Sequence, residues 1–117
     1  MPEIQRDRVS KVSTSITRER IELDSPPEGF ETLYRHVAFV DATNAATSIR
    51  IYTRRGDVYY YYDQIQSPTA GRVYNFSGDF VVTSSEHIGV EVVGAAVGDV
   101  LSIYSIGYRY KAGEVVI

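Results

Sequence analysis

Apolar and polar residues alternate along most of the chain from Leu33 onward. Residues 49–52, 88–93 and 100–110 all show a period of two. This period places side chains alternately on the two faces of a β-strand. No segment has a convincing helical period. The pattern therefore predicts an all-β protein of eight to nine short antiparallel strands.

Three Gly-Asp pairs punctuate these runs, at residues 56–57, 78–79 and 98–99. Glycine reaches positive φ without a Cβ clash, and a short Asp side chain can bond to its own backbone. Each pair therefore predicts a point where a strand reverses into its neighbour. Turn signals at roughly 8 to 12 residue intervals are typical of a β-sandwich or jelly roll. An antiparallel, jelly-roll-like sandwich is the predicted fold.

The first 24 residues differ from the rest, because their few apolar residues are widely spaced among Ser, Thr and charged residues. Ile21 and Leu23 alternate with charged residues, which suits a short strand. The segment Ser25–Gly29, with two consecutive prolines, then interrupts any ladder. We predict an extended N-terminal arm over residues 1–24, ordered by a partner, and a sandwich domain over residues 25–117. Loss of the fold on truncation would instead identify residues 16–24 as a core strand.

The net charge of −3 is unevenly distributed. Residues 56–108 carry six acids and one cation, and an acidic body repels phosphate, so nucleic acid is an improbable ligand for the folded domain. The predicted arm is basic, and it either binds nucleic acid or an acidic neighbour or remains a solvated polar segment. Its cations are candidate interface residues: Arg6, Arg8, Lys11, Arg18 and Arg20.

Four consecutive tyrosines, Tyr59 to Tyr62, follow Val58. In a strand, two of these rings face one side and two face the other. If Tyr60 and Tyr62 follow Val58 into the core, Tyr59 and Tyr61 become an exposed pair and join the candidate interface. Exposed tyrosines serve as carbohydrate-stacking platforms or protein interfaces. A structural ladder of cross-strand aromatic pairs is an equally good interpretation.

Other features exclude several classes of protein. The absence of cysteine rules out disulfides and thiolate zinc sites. No apolar run approaches the ~20 residues of a membrane-spanning helix. The first residues lack an apolar signal segment, so we expect synthesis in a cytoplasm without secretion.

Catalytic and metal-binding patterns are weak. His36 and His87 have no spacing that unites them. Asp57, Asp79 and Asp99 could gather around Ca²⁺, but turn chemistry explains them better, since calcium loops concentrate several ligands in one segment. Arg55-Gly56-Asp57 spells an integrin-binding tripeptide, which also occurs by chance in hairpins. We therefore expect no enzyme activity and no cofactor or metal.

Two segments, His36–Asn44 (HVAFVDATN) and Val92–Ile103 (VVGAAVGDVLSI), resemble small β-sandwich proteins of tailed bacteriophage virions. The resemblance covers about residues 33–110 and is one of pattern. It implies a capsid decoration (cement) protein or another head or tail component. Such a protein would reside in the virion and bind copies of itself and other virion proteins. It implies no catalytic residues.

Three hypotheses follow. The first is a virion assembly protein that acts through the basic arm and an exposed tyrosine face. The second is a carbohydrate-binding or receptor-binding module, in which Tyr59→Ala or Tyr61→Ala removes glycan binding without loss of fold. The third is a small cupin-like enzyme, which the unrelated positions of the two histidines disfavour.

Overall fold

The computed structural model describes residues 3–113 as two antiparallel four-stranded sheets packed face to face. The strands are β1 (Glu3–Val12), β2 (Glu19–Glu22), β3 (Phe30–Asp41), β4 (Ser48–Arg55), β5 (Val58–Gln66), β6 (Tyr74–Thr83), β7 (Glu86–Val93) and β8 (Val100–Lys111). Residues 3–113 include no helix that is long and apolar enough to span a membrane.

The strand order identifies the type of sandwich. Sheet A has the order β1-β8-β3-β6, and sheet B has the order β2-β7-β4-β5. Every connection crosses from one sheet to the other except the β4–β5 hairpin. Eight strands interleaved in this way form a jelly roll. The predicted all-β sandwich is confirmed, with eight strands in the described part of the chain.

The core lies between the two sheets, where the alternating apolar residues meet. Sheet B contributes its inward-facing isoleucines and valines, and sheet A contributes larger side chains. The side chains buried most completely include Ile21, Leu23, Tyr34, Phe39, Ile49, Ile51, Leu101 and Ile103. Close packing of these residues from both sheets fixes the spacing of the sheets and the orientation of their outer faces.

The predicted N-terminal arm differs from the structure. Residues 3–12 form β1, which pairs with β8 along its whole length, from Glu3 opposite Arg109 to Val12 opposite Val100. Residues 19–22 form β2 at the edge of sheet B, and Ile21 is buried in the core. Backbone ladder bonds do not depend on apolar side chains, so a polar segment can still form an edge strand. The jelly roll thus already includes the described part of residues 1–24.

Only one Gly-Asp pair lies at a hairpin. Gly56-Asp57 turns β4 into β5, with Gly56 at φ 57°. Gly78-Asp79 lies inside β6, so the predicted turn there is wrong. Gly98-Asp99 lies in a loop, but that loop joins β7 in sheet B to β8 in sheet A. The chain therefore does not reverse into a neighbouring strand at that point.

Candidate functional site

A cluster of charged and aromatic side chains covers the outer face of sheet B, with Glu91 at its centre. Glu91 on β7 is only 1% exposed. Arg20 on β2 donates to its carboxylate at 3.2 Å, and Arg50 on β4 donates to its other oxygen. The Tyr61 hydroxyl adds a third hydrogen bond at 2.8 Å. Burial raises the pKa of Glu91, but the hydrogen bonds from Arg50 and Tyr61 outweigh it, and the net pKa is lowered.

Tyrosine rings and guanidinium groups stack over this carboxylate. The Arg20 guanidinium lies 4.1 Å from the centroid of Tyr59, and that of Arg50 lies 3.7 Å from the centroid of Tyr61. The two tyrosine rings are nearly parallel, 15° apart, with centroids separated by 6.3 Å. Buried Tyr52 meets both of them edge-on. Each of the two rings thus has one guanidinium stacked on it, which leaves less ring surface for a sugar to stack on.

The cluster continues across β7 through Glu22 on β2. Tyr52 donates to Glu22 Oε2 at 2.7 Å, and Arg54 donates to both carboxylate oxygens. Burial raises the pKa of Glu22, but Arg54 and Tyr52 stabilise the ionised form, so the net pKa is lowered. Burial and the neighbouring Glu22 carboxylate raise the pKa of Tyr52 well above its ordinary value. Glu22 is therefore held as a carboxylate and Tyr52 as a neutral hydrogen-bond donor.

The four tyrosines divide two and two between the faces of β5, and none of them is buried. The prediction that Tyr60 and Tyr62 enter the core is therefore wrong, while Tyr61 is 39% exposed. Val58, Tyr60 and Tyr62 remain 54%, 56% and 55% exposed. The ring of Tyr62 packs edge-on against Phe80 at the margin of the core. Strand β5 is an edge strand, so a side chain on its inner side can still reach solvent.

The predicted cationic residues do not form one surface. Arg20 belongs to the Glu91 cluster, whereas Arg6 and Arg8 lie exposed on the outer face of sheet A. Lys11 binds Glu19 at 3.5 Å and the Arg20 backbone oxygen at 2.9 Å. Arg18 is exposed in the β1–β2 loop. The structure thus brings together Arg20, Tyr59 and Tyr61, with Lys11 beside them, and separates Arg6, Arg8 and Arg18 from this group.

An open groove of about 520 Å³ lies between the margins of β1 and β2. It is lined by Lys11, Arg20, Glu22, Arg54 and Tyr59, with Val9, Ser10 and Ile21 beneath them. The four charged residues of this lining already pair with groups of the same chain. The groove could therefore accept a ligand by its shape, but none of these four charged residues is left unpaired to bind one.

The outer face of sheet A is more apolar. Ile4, Tyr108, Leu33 and Val81 lie directly opposite one another on the four successive strands. We call these four residues the apolar row. Ile4 and Val81 are 58% and 47% exposed, and the adjacent Ile106 is 46% exposed. Sequence patterning missed this row because each strand contributes only one member.

Arginines flank the apolar row. Arg8 stacks over Tyr104 at 5.2 Å, and Arg35 lies 5.7 Å from the centroid of Tyr108. Arg6 lies directly opposite Ile106. Asp79 approaches Arg35 at 3.8 Å, but both side chains are well exposed, so this ion pair is weak.

The residues considered for metal binding and catalysis are scattered. Asp57 lies at the β4–β5 turn and Asp99 at the opposite end of the sandwich, while Asp79 lies on β6. Within residues 3–113, no three His, Cys, Asp or Glu side chains converge as metal ligands. His36 contacts Ser77, and His87 contacts the backbone oxygen of Leu23. The two histidines lie in different sheets.

The comparisons with known proteins assign no family. No protein-family model matches the chain, and a search of curated proteins finds no match. The fold and the surfaces described above therefore carry the functional argument.

Proposed function

We propose that the chain is a structural protein of a tailed-phage virion, with a non-catalytic role. It would be a capsid decoration protein or another head or tail assembly component, acting through protein–protein contacts. Jelly rolls occur in viral capsid proteins, lectin domains and cupins, so the fold alone leaves the function open. The resemblance of residues 33–110 to phage sandwich proteins favours the virion.

The observation that carries the proposal is the apolar row on the outer face of sheet A. Ile4, Val81 and Ile106 are exposed apolar side chains on this face, whereas Leu33 within the row is buried. Exposed apolar side chains grouped on one face mark interaction sites more often than scattered ones do. A standard interface buries about 800 Å² per partner, an area of the order that one sheet face of such a sandwich offers. Tyrosine and arginine, which flank the row, are enriched in such interfaces.

The partner that fits this face is an acidic surface of a second copy of the chain. Arg6, Arg8 and Arg35 make the face cationic in a chain whose net charge is −3. Two such faces would repel each other, so a symmetric face-to-face dimer is disfavoured. Exposed Asp24, Glu28 and Asp57 lie on loops at one end of the sandwich. A contact between this end and the cationic face is head-to-tail, and it produces rings when the rotation closes.

Light scattering after gel filtration tests the assembly directly. We expect the wild type to form a closed oligomer and Ile106→Asp to be monomeric with an unchanged melting temperature. Val97→Asp, which places the same charge on an exposed loop residue, is the matched control and should retain the oligomer. A wild type that stays monomeric at all concentrations overturns the proposal that the partner is a second copy of the chain.

Mass spectrometry of purified particles of the encoding phage tests the virion assignment separately. Absence of the chain from these particles overturns that assignment.

A glycan-binding module is the second candidate, and the exposure of Tyr60 and Tyr62 favours it. Both side chains are more than half exposed on the edge strand β5, although Tyr62 also contacts Phe80, whereas an arginine stacks on each of Tyr59 and Tyr61. On this hypothesis, Tyr60→Ala and Tyr62→Ala remove binding on a glycan array, while Tyr104→Ala, on the other sheet, does not. An array on which the wild type binds no glycan removes this candidate.

A further inference from the structure

Two buried carboxyl groups meet at the end of the sandwich opposite the β4–β5 turn. Asp41 is the last residue of β3, and Asp99 immediately precedes β8. Their side chains are 5% and 1% exposed. Asn44 joins them, because its backbone N–H donates to Asp41 Oδ1 and its side-chain amide donates to Asp99 Oδ1. Two ionised carboxylates that are buried so close together repel each other, so this arrangement requires something that offsets their charge.

The hydrogen bonds around the pair show where that partner is missing. Asp41 Oδ1 accepts the backbone N–H groups of Thr43 at 3.1 Å and Asn44 at 3.4 Å. Asp99 accepts the side-chain amide of Asn44 at 2.7 Å and the N–H of Ala96 at 3.2 Å. Asp41 Oδ2 is buried and has no partner within the described part of the chain. Asp99 thus has donors on both oxygens, and Asp41 on only one.

Four interstrand loops converge on these two residues. Asp41 begins the β3–β4 loop and Asp99 ends the β7–β8 loop. Ser13, in the β1–β2 loop, donates its N–H to the Asp99 backbone oxygen at 2.8 Å and accepts from Gly98 at 2.8 Å. Gly71, in the β5–β6 loop, donates to the Asp41 backbone oxygen at 2.7 Å. The pair therefore links four of the connections that cross between the sheets.

We infer that Asp41 carries a proton on Oδ2 and donates it in a hydrogen bond to Asp99, and that this pair is a pH-sensitive clasp for the four loops. The proton supplies the missing partner of Oδ2 and removes one of the two negative charges. A bound cation fits less well, because Asn44 directs its amide N–H, and not its carbonyl oxygen, toward Asp99. Raising the pH removes the proton and loosens this end of the sandwich.

The charges around the pair support this direction. The groups that act most strongly on the two carboxyls are each other, Thr43, Asn44 and Ala96, and no cation is among them. Burial and the contact with Asp99 raise the pKa of Asp41 above 3.8. For Asp99, burial acts upward, but hydrogen bonds from Asn44, Asp41 and Ala96 leave its pKa below 3.8. Asp41 is thus the group that keeps the proton.

The sign of the pH effect follows from linkage. The stabilisation from Asp41 is complete below its unfolded pKa of 3.8 and is lost as the pH rises through its higher folded pKa. The stabilisation from Asp99 is complete above 3.8 and is lost as the pH falls through its lower folded pKa. The clasp therefore holds best at acidic pH, between the two folded values.

Asp41→Asn is the decisive variant. An asparagine at this position can keep its oxygen toward Thr43 and Asn44 and donate its amide N–H to Asp99 at every pH. We expect it to melt at the wild-type temperature at acidic pH. At alkaline pH it should melt higher than the wild type, by roughly 3 °C or more. Asp57→Asn, at the exposed hairpin turn, is the control and should leave the wild-type pH profile unchanged.

Carboxyl ¹³C NMR of the wild type supplies an independent readout. We expect Asp41 to titrate above its ordinary value and Asp99 below it. An Asp41→Asn variant that melts with or below the wild type at alkaline pH overturns the clasp, as does an Asp41 that titrates at or below its ordinary value. A third test adds millimolar CaCl₂. If it raises the melting temperature of the wild type but not that of Asp41→Asn, a bound cation and not a proton lies between the carboxyls, and the inference is also overturned.

Discussion

The hydroxyl of Tyr52 donates a 2.7 Å hydrogen bond to Glu22 across β7, the strand that separates their own strands β4 and β2. The bond passes over Gly89. A Cβ at this residue would lie 2.6 Å from the Ile21 backbone oxygen and 2.8 Å from both the Glu22 Cγ and the Tyr52 hydroxyl. The link between the two strands therefore depends on the absence of a side chain at residue 89.

Gly89→Ala should destabilise the fold by roughly 1–3 kcal/mol, because one contact is with backbone that cannot move aside. Urea unfolding measures the change. Gly78→Ala is the matched control, since its Cβ would meet only the end of the Phe80 ring, at 3.0 Å, which can shift. Equal losses in the two variants would show that the crossing at Gly89 is not constrained.

Glu91→Gln should cost roughly 1–3 kcal/mol of unfolding free energy. The substitution leaves the guanidinium groups of Arg20 and Arg50 without their counter-charge, although both are partly solvated, which limits the loss. Asp79→Asn breaks an exposed ion pair with Arg35 and should change stability by about 0.5 kcal/mol or less. A Glu91→Gln variant as stable as Asp79→Asn would contradict a structural role for the cluster.

The same carboxylate should make the protein sensitive to acid. The pKa of Glu91 is lowered in the folded state, so its contribution is present above the ordinary value of 4.5 and is lost as the pH falls through the folded pKa. Glu91→Gln should therefore flatten the acid side of a melting-temperature profile, while the alkaline side keeps its shape. An unchanged acid limb in this variant would assign the acid sensitivity to other groups.

Ile21→Ala and Leu23→Ala should each cost roughly 2–5 kcal/mol, because both side chains are fully buried. Ile16→Ala, at an exposed position of the same N-terminal segment, should cost almost nothing. Thermal melts of the three variants decide between a core strand and a detachable arm. If a chain that begins at Ser25 keeps the wild-type melting temperature, the prediction of a detachable arm is supported instead.

Tyr61→Phe should cost about 1 kcal/mol, because the ring and its contact with Arg50 remain while the 2.8 Å hydrogen bond to Glu91 is lost. Tyr60→Phe removes an exposed hydroxyl from the other face of β5 and should be nearly neutral. Urea unfolding of the two variants separates these roles. A loss with Tyr60→Phe as large as that with Tyr61→Phe would contradict the assignment of the two faces.

The sequence predicts the β-sandwich because alternation is a local property of each strand. Strands β4, β7 and β8 each direct alternate apolar residues into the core, and this period of two is visible in the residues themselves. Strand β1 could not be recognised in this way, since it is an edge strand held by backbone bonds to β8. The prediction that Tyr60 and Tyr62 are buried is also wrong, because an edge strand leaves even its inner side partly in solvent.

The candidate site depended on strand order, which alternation does not encode. Arg20, Arg50, Tyr61 and Glu91 come from four strands, of which only β4 and β5 are consecutive in the chain. A signal for the cluster exists, since Glu91 and Arg50 both alternate with buried apolar residues and so must point away from the core. Pairing them requires knowing that β7 lies between β2 and β4.

The position of β8 determines when the molecule can be completed during synthesis. It lies between β1 and β3, although it follows the other seven described strands along the chain. Until residues 100–111 leave the ribosome, β1 has no partner in the native sheet, and β3 has only one edge paired. Among the described strands, only the β4–β5 hairpin can close early, and the remaining pairings must wait for distant segments, which slows folding. The nascent chain therefore exposes unpaired strand edges until β8 has been synthesised, and a chaperone has the longest opportunity to bind it before that point.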